Sequence, residues 1–170
     1  MDQPLKRSMA PVGATAPTLL LLGSLPGAAS LAAQSYYAHP QNQFWRLLGN
    51  ALGEPLAESG YAVRLERLAS RGVALWDVVG EARRSGSLDS ALRDVLANPL
   101  AAFIERQPRL AAIGFNGQTA ARIGRKVLGE QRGIALIDLP SSSAAHTLAI
   151  AQKAVRWSVL ANFATAATLA

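Results

Sequence analysis

Apolar positions along the chain change period several times, and each change marks an expected element. Thr18-Leu19-Leu20-Leu21-Leu22 is an unbroken apolar run that stops at Gly23. Such a run predicts a strand buried on both faces, as in a parallel sheet. From Phe44 the spacing lengthens: Phe44, Leu47, Leu48, Ala51 and Leu52 share one helical face. Pro40 and Asn42 stand just ahead of it, where turn and cap residues belong. Residues 72–79 predict a second strand. Residues 88–96 predict a short helix with Ser87 or Asp89 near its start, and residues 99–105 another. A third strand is expected at 110–114, and a helix at 117–128 that Gly129 ends. Residues 133–139 predict a fourth strand, broken by Pro140 and a run of serines, and residues 147–164 a long closing helix. Residues 1–17 mix Pro, Gly, Ala and charge without a period and read as a flexible tail. Residues 18–170 then form one domain without internal repeats. Strands alternating with helices predict a three-layer α/β/α sandwich around a four-stranded parallel sheet with right-handed crossovers.

Composition narrows the chemistry. Half of the 170 residues are hydrophobic, enough for one substantial core and against a disordered chain. There is no cysteine, which excludes disulfides, thiolate catalysis, zinc fingers and cysteine-ligated iron–sulfur clusters. With His39 and His146 as the two histidines, no metal site and no cofactor is expected. Seventeen basic against eleven acidic residues give a net charge of +6 and a pI near 10.5. A surface of that sign attracts polyanions, of which nucleic acid is the usual one in a cell. No apolar run approaches the roughly 18 residues of a membrane span, and the N-terminal apolar stretch is short for a leader. The expectation is a cytoplasmic protein that does not engage membranes.

In open parallel sheets, ligands bind beyond the carboxyl ends of the strands. Here those ends carry Gly23-Ser24-Leu25-Pro26-Gly27, Asp77, Phe115-Asn116-Gly117 and Leu139-Pro140-Ser141-Ser142-Ser143. All four are expected at one rim. The first turn has neither the Gly-Lys-Ser/Thr ending of a Walker loop nor the dinucleotide fingerprint, but its glycines permit close backbone approach. Ser141 to Ser143 with His146 lack the Gly-x-Ser-x-Gly elbow of a serine hydrolase, and fit a polar loop or a phosphate contact better. Tyr36-Tyr37-Ala38-His39-Pro40-Gln41-Asn42-Gln43-Phe44-Trp45 gathers amides, an imidazole and aromatic rings ahead of an apolar helix. Burying such polar groups without partners costs about 1–3 kcal/mol each, so a site is the simpler explanation. Phe44 and Trp45 are expected in the core, and Tyr37 with a face exposed.

At these residues the sequence resembles the uracil-DNA glycosylase superfamily, and within it the hypoxanthine-DNA (DNA-deoxyinosine) glycosylases. The resemblance rests on Gly23 to Gly27, Tyr36 to Trp45, Ala74 to Val78, Gly86 to Asp89 and Phe115 to Gly117, and runs from about Thr18 to the C-terminus. It implies a monofunctional, monomeric repair enzyme acting on double-stranded DNA. Such an enzyme hydrolyses the N-glycosidic bond of hypoxanthine, with uracil also open, to leave an abasic site. The alternatives are a uracil/thymine mismatch enzyme of the same superfamily or a non-catalytic DNA-binding relative. By this resemblance Asn42 is the catalytic residue. Mismatch-specific relatives carry an asparagine at the position of Leu25, and this chain does not. The implied base pocket comprises Tyr37 as stacking platform, Asp77 and Asn116 on the Watson–Crick edge, and Ser24 and Leu25. Gly23, Pro26, Gly27 and His39 complete its loops, and Ser141, Ser142, Ser143 and His146 contact phosphates. Relatives carry a bulky duplex wedge in the fourth-strand loop, where this chain has Ala144 and Ala145.

Overall fold

The computed structural model describes residues 3–166. Its centre is strand β3 (Leu19–Gly23), every residue of which is buried. Side chains alternate across it: Leu19 and Leu21 enter one hydrophobic cluster, Leu20 and Leu22 the other. That alternation explains the unbroken apolar run, because a strand covered on both faces has no solvent side to leave polar.

Strand β4 (Val73–Asp77) pairs with β3 in parallel on one edge, and β7 (Ala112–Asn116) in parallel on the other. Strand β8 (Ala135–Leu139) continues the parallel set beyond β7. A fifth strand, β2 (Val12–Gly13), pairs antiparallel with β4, giving the order β2-β4-β3-β7-β8. The first cluster packs helices α2 (Phe44–Leu52), α3 (Tyr61–Ser70) and α6 (Ile150–Trp157) on one face. The second packs α4 (Leu100–Glu105) and α5 (Gln118–Leu128) on the opposite face. Helix α1 (Ala28–Ala33) follows the first strand-end turn. Among the described residues no helix is long and apolar enough to cross a membrane.

The α/β/α sandwich is as expected, with differences in its periphery. The sheet has five strands rather than four, because the segment expected as a loose tail supplies an edge strand. That segment also supplies β1 (Leu5–Arg7), which joins β5 (Val79–Arg83) and β6 (Arg93–Ala97) in a small antiparallel sheet of order β1-β5-β6. The edges of β4 and β5 offer unpaired backbone groups, and the nearby chain satisfies them. The helix expected at 88–96 is instead a 3-10 turn at Asp89–Ala91 followed by β6. Leu88, Leu92 and Leu96 have helical spacing, but pairing with β5 prevails over it, as tertiary context does with short segments. The closing helix is α6 and then a 3-10 segment, Ser158–Asn162. The third and fourth strands begin two residues later than expected.

Candidate active site

A cleft of about 600 Å³ opens where the strand ends meet. The turns after β3 and β7, Asp77 at the end of β4, the serine loop after β8 and the loop before α2 all line it. The tip between β5 and β6, from Ser87 to Ser90, forms a further wall that the rim argument did not include. Loops at the strand ends can vary without disturbing the core.

Gly23 sets how close the floor can approach. A Cβ there would lie 2.7 Å from the Tyr37 hydroxyl and 2.8 Å from Asp77 Oδ1, so only glycine admits both groups. Tyr37 adopts a left-handed backbone (φ 54°), uncommon for a bulky residue. Its ring stacks on Phe44 with centroids 3.8 Å apart and planes 8° apart. One face is thus taken by the core, and the half-buried ring gives the rest of its surface to the cleft. Burial, then the charge of Asp77, pushes the Tyr37 hydroxyl above its ordinary range, so it stays protonated.

Asp77 is buried, and its Oδ2 accepts a 3.1 Å hydrogen bond from Ser8 Oγ. Burial pushes its carboxyl up to about 7, while the Ser8 hydroxyl and then Arg84 oppose the shift. Ser8 belongs to the segment expected as a loose tail.

The amide of Asn42 is held at one end. Its Oδ1 accepts the Phe44 N–H at 2.9 Å and the Ser142 hydroxyl at 2.8 Å. Both lone pairs of that oxygen are therefore occupied, and the Phe44 donor fixes which end of the amide is oxygen. Among the described residues no hydrogen bond from Asn42 Nδ2 is found, and Asn42 lines the cleft. Asn116 braces the other side of Ser142: its Oδ1 accepts the Ser142 N–H at 2.9 Å and its Nδ2 donates to Ser142 Oγ at 2.9 Å. Among the described residues the second N–H of Asn116 has the Tyr37 hydroxyl beside it and no other partner.

These contacts correct two expectations. Ser142 is 1% exposed, with its hydroxyl both donating and accepting inside the protein. It is the rivet between Asn42 and Asn116 and cannot reach a phosphate. Leu25 is buried in the second hydrophobic cluster, so its side chain packs against the core rather than a base. Ser24 donates to Asp89 at 2.6 Å, which ties the first turn to the β5–β6 tip. Ser141 Oγ accepts the Ser143 N–H and Ser143 Oγ accepts the Ala145 N–H. Both hydroxyls keep their own hydrogen for an external acceptor. His39 and His146 are exposed at the rim; His39 Nδ1 accepts the Gln41 N–H at 3.1 Å. Pro26 and Gly27 line the first wall.

Two fully buried cations, Arg84 and Lys153, are functional candidates that the sequence reading missed. Arg84 donates to the carbonyls of Leu25, Pro26 and Gly86. Lys153 donates to Gln43 Oε1 (2.9 Å) and to the carbonyls of His146 (3.1 Å) and Ser143 (3.2 Å). Burial lowers the proton affinity of both. Because N–H and C=O point oppositely in a trans peptide, drawing in the Pro26 and Ser143 carbonyls turns the following N–H groups of Gly27 and Ala144 away from the cations. Lys153 had a signal in the sequence, since it shares the apolar face of α6 with Ile150 and Trp157 (i−3 and i+4). Arg84 follows a strand and leaves no periodic trace. Among the described residues no group of His, Cys, Asp or Glu could hold a metal ion.

Comparison with known proteins places this geometry in context. Residues 10–163 match the family described as the uracil DNA glycosylase superfamily. A hypoxanthine DNA glycosylase of Methanosarcina acetivorans is 40% identical over 128 residues, which are 75% of this chain and 80% of that protein. One of the same description from Methanosarcina barkeri is 41% identical over 100 residues, 59% of this chain and 63% of that one. The solution NMR structure of a candidate uracil DNA glycosylase from Methanosarcina acetivorans has a TM-score of 0.81 at 35% identity, over 92% of this chain and 96% of that chain.

Proposed function

The chain belongs to the uracil DNA glycosylase superfamily, and from that premise we propose that it is a monofunctional DNA glycosylase that hydrolyses the N-glycosidic bond of hypoxanthine in DNA. It is a repair glycosylase for deaminated bases, as the motif resemblance implied. The reading takes the chain from Thr18 onward as one catalytic domain, braced by the strands of the first seventeen residues.

The observation that carries the site assignment is the doubly held oxygen of Asn42, which leaves a carboxamide nitrogen as the free group in the cleft. Bond cleavage leaves positive charge on the sugar and negative charge on the departing base. Such a reaction needs placed donors and a placed water more than a strong nucleophile. Asn42 Nδ2 supplies the donors: one N–H holds a water by one lone pair and leaves the other lone pair for the sugar carbon, and the proton that water sheds on bonding neutralises the departing base anion. The Gly27 N–H, turned outward by Arg84, is a second donor for the departing base. The base stacks on Tyr37, since base–aromatic stacking is worth about 1–3 kcal/mol. Asp77, once ionised, accepts the N1–H of hypoxanthine, and the second N–H of Asn116 donates to the adjacent carbonyl. Uracil presents the same N–H beside a carbonyl, so this edge contact admits it as a second substrate. Ser141, Ser143 and the Ala144 N–H are donors for the flanking phosphates.

The test is single-turnover excision from a duplex with one inosine, read as strand breakage at the abasic product in alkali. Asn42→Ala is expected to slow excision by about 100-fold, the scale of one lost transition-state donor. A rate within about threefold of wild type would remove Asn42 from the chemistry.

A further inference from the structure

A base withdrawn from a duplex leaves a gap in the stack, and proteins that hold such gaps open often insert an apolar side chain. In the serine loop the candidates for that task are Ala144 and Ala145, whose side chains end at Cβ. On the opposite wall of the cleft stands Leu88, a large apolar residue that is 62% exposed. Its neighbours explain why it stands out. Ser87 Oγ accepts the Ala28 N–H at 3.0 Å, and Asp89 accepts the Ser24 hydroxyl at 2.6 Å. Both flanking side chains are thus tied inward to the first turn. Leu88 between them is extended (φ −80°, ψ 137°), and successive side chains of extended backbone point to opposite sides. Leu88 is therefore directed outward from a tip that its own neighbours hold still. Arg93 donates to the Ser90 and Leu92 carbonyls at 3.0 and 2.8 Å, placing an exposed cation beside the same tip.

We propose that Leu88 enters the duplex at the position vacated by the extruded nucleotide. The inference rests on the glycosylase reading above and adds to it the residue that keeps the damaged base out of the stack. It gives a reason for leaving a leucine in water, where burial in the stack removes its apolar surface from solvent. A single strand has no partner stack to close behind the base, so the wedge matters for duplex substrate alone.

The experiment compares single-turnover excision of hypoxanthine from duplex and from single-stranded oligonucleotides by wild type, Leu88→Ala and Leu88→Met. Leu96→Ala serves as control, because Leu96 is equally exposed (63%) on β6 but does not line the cleft. Leu88→Ala is expected to lower the duplex-to-single-strand rate ratio by about tenfold, with Leu88→Met restoring most of it. Leu96→Ala is expected to keep the wild-type ratio. An unchanged ratio in an active Leu88→Ala enzyme overturns the wedge alone. A wild type that releases no base from either substrate overturns the glycosylase reading, and the wedge with it.

Discussion

The two walls of the cleft are built on the same device with different electrostatic surroundings. Beneath the first turn, Arg84 gathers the carbonyls of Leu25, Pro26 and Gly86. Beneath the serine loop, Lys153 gathers those of Ser143 and His146 together with the Gln43 amide oxygen. Each cation is fully buried, and among the described residues neither has a carboxylate within salt-bridge distance. Arg84 nevertheless feels Asp89 and then Asp77 nearby, which oppose the effect of its burial without cancelling it. For Lys153, burial is the one cause of its shift. The first wall is thus close to balanced in charge and suits an uncharged base edge. The fourth-strand wall keeps a net positive charge and suits phosphate. One mechanical solution fits the two ligand chemistries proposed for these walls because the counter-charges differ.

Three changes would break or sharpen that contrast. The largest effect is expected from Arg84→Met, which leaves the buried Leu25 and Pro26 carbonyls, and that of Gly86, without their donor. A loss of about 4–5 kcal/mol in urea unfolding is expected, by analogy with breaking a buried ionic contact. A loss below about 1 kcal/mol would mean that the turn holds itself.

Asp77→Asn removes one of the two counter-charges and should bring the first wall closer to the other. The Asp77 carboxyl is raised by burial from 3.8 to about 7. Between those values the folded state binds a proton that the unfolded chain has lost, so stability falls as pH rises through this window. The penalty is complete above about 7 and absent below about 4. The asparagine variant carries no such penalty and is expected to be more stable by about 4 kcal/mol at pH 8. Equal melting temperatures at pH 4 and a gap opening toward pH 8 are the signature. A constant gap across that range would contradict the raised carboxyl.

The smallest effect is expected from Lys153→Met. The methionine fills the space without the charge, and affinity for undamaged duplex is expected to fall about fivefold at low salt. Titrations at rising ionic strength should bring variant and wild type together as screening removes the difference. An affinity ratio that ignores salt would assign Lys153 a purely structural part.

The contrast between the walls was only half legible in the sequence. The strand-end residues and their meeting could be read, because an apolar run such as 19–22 can hardly be placed except in a covered sheet, and ligands gather at such strand ends. Amphipathic spacing placed α2 to the residue. The supports were harder. Ser141, Ser142 and Ser143 look alike in sequence, yet only Ser142 is enclosed, through bonds to residues 26 and 100 positions away. The role of Ser8 depends on short strands amid Pro and Gly, where pairing with a distant partner outweighs any local signal. Leu88, Leu92 and Leu96 misled for the same reason: their helical period yielded to the edge of β5. Lys153 alone was visible in principle, as a charge in phase with the apolar face of its helix.

The bond from Ser142 to Asn42 joins positions one hundred residues apart. The Asn42 amide, oriented locally by the Phe44 N–H, is consequently clamped at both lone pairs only after the last parallel strand has docked. A nascent or partly melted chain could then bind nucleic acid through its charge while lacking the means to sever a base from its sugar. On the role proposed for Asn42, competence arrives late in folding and vanishes early in denaturation.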